Sequence, residues 1–186
     1  MAESERIPTS VRRMALAVIL GFALVGVGVS TAAPARRAVA QVDEGFMYTA
    51  AFACVREVGP FDPAFMPGEY RTTVNVHNPQ RHEVSFLKKA VIANSEETQE
   101  RGIISDYRED VLRPDDALAI DCTTIISLLA QQPSVGNGFV VIESKEPLDV
   151  VAVYTQITEA GASVDVECIQ PKQISGESVV PGRLGC

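Results

Sequence analysis

The chain has 186 residues, 46% of them hydrophobic, and a formal net charge of -8. That is enough apolar material for one domain with a real core plus an appendage. Residues 1–40 carry a net +3, so residues 41–186 hold about -11, a charge that repels phosphate backbones and excludes nucleic acid as an expected partner.

The N-terminal segment reads as an export signal. Arg12-Arg13 precede an apolar run from Met14 to Val29, and small residues follow up to Ala38-Val39-Ala40. Charge, apolar stretch and A-x-A site, in that order, make a secretory signal peptide over residues 1–40, with a mature start at Gln41. The rival reading is a membrane anchor. Residues 14–35 are uncharged and match the roughly 20 residues of a spanning helix. Both readings put residues 41–186 outside the cytoplasm, periplasmic or secreted.

A first strand is predicted over residues 46–56, followed by turn chemistry at Gly59-Pro60, Asp62-Pro63 and Pro67-Gly68. Tyr70–His77 alternates, with Tyr70, Thr72, Val74 and Val76 on one face and Arg71, Thr73, Asn75 and His77 on the other. Asn78-Pro79 ends it. A third strand spans 82–93. Lys88 falls on its apolar parity, which predicts a bulge or a strand end near Lys88-Lys89. Residues 94–101 form a polar loop, 103–112 a weaker strand and 117–120 a short apolar step. Asp121 is placed to cap a helix over 122–131. Further strands are predicted over 139–143, 148–155 and 163–169. The runs 139–142 and 150–154 are apolar on consecutive residues, so the two are expected as a central, adjacent pair. Residues 171–186 read as a loose tail. Seven short strands and one small helix predict an all-β domain over 41–170, a β-sandwich.

Four cysteines in an exported chain suggest disulfides and allow three pairings. Cys54 lies in a strand and Cys122 at the helix start, and a bond between them closes a long loop. Cys186 pairs with Cys168, bonds another chain or stays free, and the sequence leaves these open.

Phe52-Ala-Cys54, Gly68-Glu-Tyr-Arg-Thr-Thr-Val-Asn-Val-His-Asn-Pro79, Phe86-Leu-Lys-Lys-Ala90, Leu118-Ala-Ile-Asp-Cys122, Gly138-Phe-Val-Val-Ile-Glu-Ser144 and Leu148-Asp-Val-Val-Ala-Val-Tyr-Thr155 together resemble a family of uncharacterised secreted bacterial proteins. The resemblance covers residues 46–170. It implies an immunoglobulin-like β-sandwich and a bond between Cys54 and Cys122, and it brings no activity or catalytic residues. The stretch around Ser144 to Val151 is also distantly similar to small β-sandwich transducers of microbial sensory rhodopsins.

His77 and His82 are the chain's two histidines. With Glu83 or Asn75 they offer a metal site, but zinc prefers three or four well-spaced ligands; a turn held by Asn75, His77 and Asn78 is the plainer reading. Asp115, Asp116 and Asp121 cluster without calcium-loop spacing, which suits a turn and a cap. Asp149 in an apolar strand calls for a partner such as Arg71 or Lys88. Ser144 and Cys54 have no nearby base in sequence to activate them. No catalytic, cofactor or metal residue is therefore assigned. The expected function is a non-catalytic extracytoplasmic binding or structural module for a protein or cell-envelope component. The runner-up is an accessory subunit of a membrane protein complex anchored by residues 14–35, and the third reading is a hydrolase or metalloprotein.

Overall fold

The computed structural model describes residues 42–58, 65–98, 100–130, 136–176 and 178–181. Residues 1–41, which include the stretch read as a signal peptide or an anchor, lie outside the described residues, as does Cys186. Among the described residues no helix is long and apolar enough to cross a membrane.

Among the described residues the chain forms eleven strands, one α-helix and a 3-10 turn over Glu96–Thr98: β1 Glu44–Ala53, β2 Val55–Val58, β3 Gly68–His77, β4 Val84–Ile92, β5 Arg108–Leu112, β6 Ala117–Asp121, α1 Cys122–Leu128, β7 Asn137–Ser144, β8 Asp149–Thr158, β9 Gly161–Cys168, β10 Lys172–Ser175 and β11 Ser178–Pro181. One sheet has the order β11-β10-β1-β7-β4-β5, and the other β2-β3-β8-β9 with β6 also on β3. The described strand pairs are all antiparallel. The domain is an all-β sandwich, with eleven strands where seven were expected. The extra ones are four or five residues long, too short to show a period.

The core lies between the sheets. Tyr48, Ala50 and Phe52 of β1, Phe86 and Ala90 of β4, and Val140 and Ile142 of β7 face Val74 and Val76 of β3, Ile120 of β6, and Val150 and Ala152 of β8. Each fully buried large side chain contributes about 1.5–3 kcal/mol. Ile125 and Leu129 bring α1 onto the same core. Gly138 is required there: a Cβ would stand 2.0 Å from the Val91 carbonyl oxygen and 2.8 Å from the Phe52 ring. The helix stops at Leu128, short of the expected end. Ala130 takes a left-handed φ of 56°, which ends a helix.

β8 pairs with β3 from Glu69 to His77. The other side of β3 is shared: β2 lies beside Gly68 and Tyr70, and β6 beside Thr73 to His77. Cys54 enters β2 and Cys122 leaves β6, so both reach the seam between them. They are bonded there, with Cα atoms 5.6 Å apart. Thr72 fills the gap in β3: its hydroxyl accepts from Ala53 N–H at 2.9 Å, and its own N–H points at Cys122 Sγ. The predicted alternation of β3 is the observed one, Thr72, Val74 and Val76 being buried.

Four expectations are corrected. First, β7 and β8 are not neighbours. β7 is central in one sheet, between β1 and β4, and β8 central in the other, between β3 and β9. Pro147 cannot donate to a ladder, and the next N–H, that of Leu148, is taken at 2.8 Å by the buried Tyr48 hydroxyl. The chain therefore arches from one sheet to the other. Second, β4 has no bulge: its register with β7 runs unbroken from Phe86 to Ile92. Lys88 stays on the inner face, buried, because Asp110 on β5 supplies an ion pair. Third, the weak strand is regular only over Arg108–Leu112, with a single bridge from Ile104 to Val91 upstream. Fourth, the tail is not loose at its start. β10 pairs with Glu44 to Met47 of β1, and β11 pairs with β10. Ile174 is buried, and Gly176 N–H donates to the Asp43 carbonyl at 2.9 Å. Residues 182–186 lie outside the described residues.

Candidate binding surface

The polar residues singled out in the sequence go to structural positions. Asn78 is buried after β3. Its amide donates to the carbonyls of His82, Leu112 and Arg113, and its oxygen accepts from Gln80 N–H. One side chain thus closes three segments and satisfies its own polar atoms. His77 does not join His82. Its Nδ1 lies 3.0 Å from Asp149 Oδ2, on the sheet surface. Asp149 is therefore exposed and partnered by His77, while Arg71 turns to Glu69 and Lys88 to Asp110. Asp149 lines a cleft of about 450 Å3 with Pro79, Gln80, Pro147 and Cys168. His82 and Glu83 line a different, open depression of about 980 Å3 with Val42 and Lys145. Among the described residues no three His, Cys, Asp or Glu side chains are grouped to hold a metal.

Asp116 accepts from Arg113 N–H and Nε in the turn before β6, and Asp115 takes φ 59° in that turn. Asp121 accepts from Thr124 N–H at 2.8 Å, which holds its carboxyl below the ordinary value of 3.8. Ser144 is fully buried, its hydroxyl between the Ser85 carbonyl and Glu146 N–H. Cys54 is in the disulfide. Cys168 is also disulfide-bonded.

Two groups were not singled out as sites in the sequence. On the outer face of the six-stranded sheet Glu143 is buried at 4% exposure. It accepts from the Tyr107 hydroxyl and from Val42 N–H, while Lys89 lies over the Tyr107 ring at 4.3 Å. The segment before β5 thus folds across that face.

The second group is β9. Gly161 to Glu167 are exposed on both faces. Register with β8 sets Val164 and Val166 on the outer face beside Thr155 and Val153, and Asp165 and Glu167 on the inner side beside Tyr154 and Ala152. Val164 is 65% and Val166 61% exposed, and Ile157 on β8 adds 44%. Tyr154 donates to Glu167 Oε2 at 2.8 Å. Burial, and then that carboxylate, push its phenol well above the ordinary value. The alternation S-V-D-V-E was visible in the sequence; which side faces water was not.

No protein-family model matches the chain. No curated protein matches it either. Among solved structures, the crystal structure of Thermotoga maritima 1070 is similar at a TM-score of 0.45 and 8% identity, over 69% of this chain and 95% of that one.

Proposed function

We propose that residues 42–181 form a non-catalytic extracytoplasmic module that binds another protein, and that the sandwich is immunoglobulin-like. The exposure of Val164 and Val166 on an edge strand carries this reading, since apolar side chains grouped in water at a sheet edge mark an interaction site. The polar candidates support it by their engagement in caps, turns and a surface contact between His77 and Asp149. The disulfides support the compartment, because such bonds persist in oxidising surroundings.

Photo-crosslinking in the producing cells tests the reading, with the reactive residue placed at Val164, at Phe139 and at Arg108 in turn. The expected result is a discrete protein adduct from at least one face. No adduct at any position, with the chain shown folded by limited proteolysis, refutes it. A membrane-impermeant amine reagent is expected to label Lys145 and Lys172 in cells stripped of their outer layers but not lysed.

A further inference from the structure

β9 pairs with β8 on one side, and no described strand pairs with its other side. The direction of its backbone groups follows from two bonds. Ile169 N–H donates inward to the Val150 carbonyl, and Val166 N–H turns the other way, to Asp165 Oδ1 of its own strand at 2.9 Å. Antiparallel ladders alternate, so Ala162, Val164 and Val166 present their N–H and C=O groups to the open side. Asp165 occupies one of those donors, a device that discourages casual pairing.

The side chains say which strand suits this edge. An added strand continues both faces of the sheet, so it meets Val164 and Val166 on one side and Asp165 and Glu167 on the other. A second copy of β9 fits badly. With faces matched, antiparallel pairing sets Asp165 and Glu167 against the same carboxylates of the other copy, and like charges directly opposite are destabilising. A neutral strand must pull Val166 N–H from Asp165 and leave that carboxylate uncompensated. A strand with Lys or Arg at those positions gives Asp165 a new partner as it surrenders the N–H, and balances Glu167 as well.

We propose that the open edge of β9 takes up an extended segment of a partner protein with alternating apolar and basic residues, by strand addition. This rests on the reading of the domain as a binding module and names its site and partner chemistry.

The probe is a fluorescent, end-capped peptide of alternating Val and Lys, about seven residues long, compared with one carrying Glu for Lys. Anisotropy against the folded domain is expected to show the Lys peptide binding at least about tenfold more tightly at low salt, a margin that shrinks as salt screens the charges. Attraction to an acidic protein alone gives the same preference, so two further measurements separate the cases. Val166→Pro removes the outward donor together with its bond to Asp165 and replaces the valine side chain with another apolar one, and proline is tolerated at sheet edges on the solvent side. It is expected to abolish binding while the melting curve stays in place. N-methylation of alternate peptide residues does the same from the ligand side and needs no variant. Binding that survives both changes is charge attraction and overturns the proposal, as does equal affinity for the two peptides or none for either. Slow hydrogen exchange at Ala162 and Val164 in the free domain also overturns it, because the edge is then already occupied. Failure of these arms while crosslinking still traps a protein at Phe139 or Arg108 refutes this site and leaves the binding role standing.

Discussion

Replacing Cys54 and Cys122 together by Ala cuts the covalent tie at the seam between β2 and β6. The cysteines are 68 residues apart in sequence, and the bond restrains the unfolded chain over that whole loop. In the chain-entropy treatment a loop of that size removes roughly 15 cal/mol/K from the unfolded state, about 4.4 kcal/mol at 25 °C. Native disulfides lost from small domains cost about 2–5 kcal/mol, so a fall of about 3–4 kcal/mol is expected. The double substitution is preferable to a reducing agent because Cys168 is also disulfide-bonded and stays so. Urea melts under oxidising conditions supply the free energy and its slope. The slope should rise, since the unfolded chain is freer and exposes more surface. Peptide mapping of the wild type without reductant should recover Cys54 and Cys122 joined. A loss below about 1 kcal/mol with an unchanged slope would place the change among ordinary surface substitutions and refute the reasoning.

Lys88 and Asp110 should behave as a buried pair. Removing one partner of such a pair costs about 3–5 kcal/mol. Asp110 keeps 29% of its side chain in water, so Lys88→Met should fall at the low end, with Lys88→Met/Asp110→Leu recovering most of the loss in chemical melts. Asp121→Ala should cost about 1 kcal/mol as a lost N-cap. The Asp121 carboxyl titrates below its ordinary 3.8 in the folded state, so its contribution is present above that value and fades as pH falls through the lower one. Asp121→Asn should keep most of the cap and flatten that acid slope. Tyr48 and Tyr154 are both raised above 10.0, chiefly by burial. Their neutral forms favour the fold, so stability should be full below pH 10 and fall as pH rises beyond it. Tyr48→Phe should reduce that alkaline loss but cost about 1–3 kcal/mol at neutral pH by orphaning the buried Leu148 N–H.

How much of the fold was legible depended on whether one residue settled the question. The alternation of Tyr70–His77 fixes its inner face without help, and Asp121 marks a helix start because its side chain reaches Thr124 N–H locally. Asn78-Pro79 marks a strand end for the same local reason. Lys88 failed as a local signal. Its partner Asp110 stands 22 positions away, and an inward lysine looks like a bulge until that carboxylate is found. The runs 139–142 and 150–154 misled in another way. Consecutive apolar residues imply burial on both faces only if something covers the outer one, yet Phe139 is 44% exposed. β10 and β11 are read as a tail because four residues with a nearby Gly carry no period, and their pairing depends on the edge that β1 offers.

β9 shows the limit most sharply. Alternation predicts a strand and two faces, and by default the apolar face is assigned to the core. Here the register with β8 turns Asp165 and Glu167 to the inner side and Val164 and Val166 outward. The strand is exposed on both faces, so its inner side meets water, where carboxylates are at home. That exposure depends on the strands that surround β9, and no residue of β9 encodes it. The valines, on the outer face, have no cover within the described domain. A sequence that alternates correctly for its sheet can therefore still conceal an exposed apolar face, because the period is fixed by the strand and the direction by its neighbours.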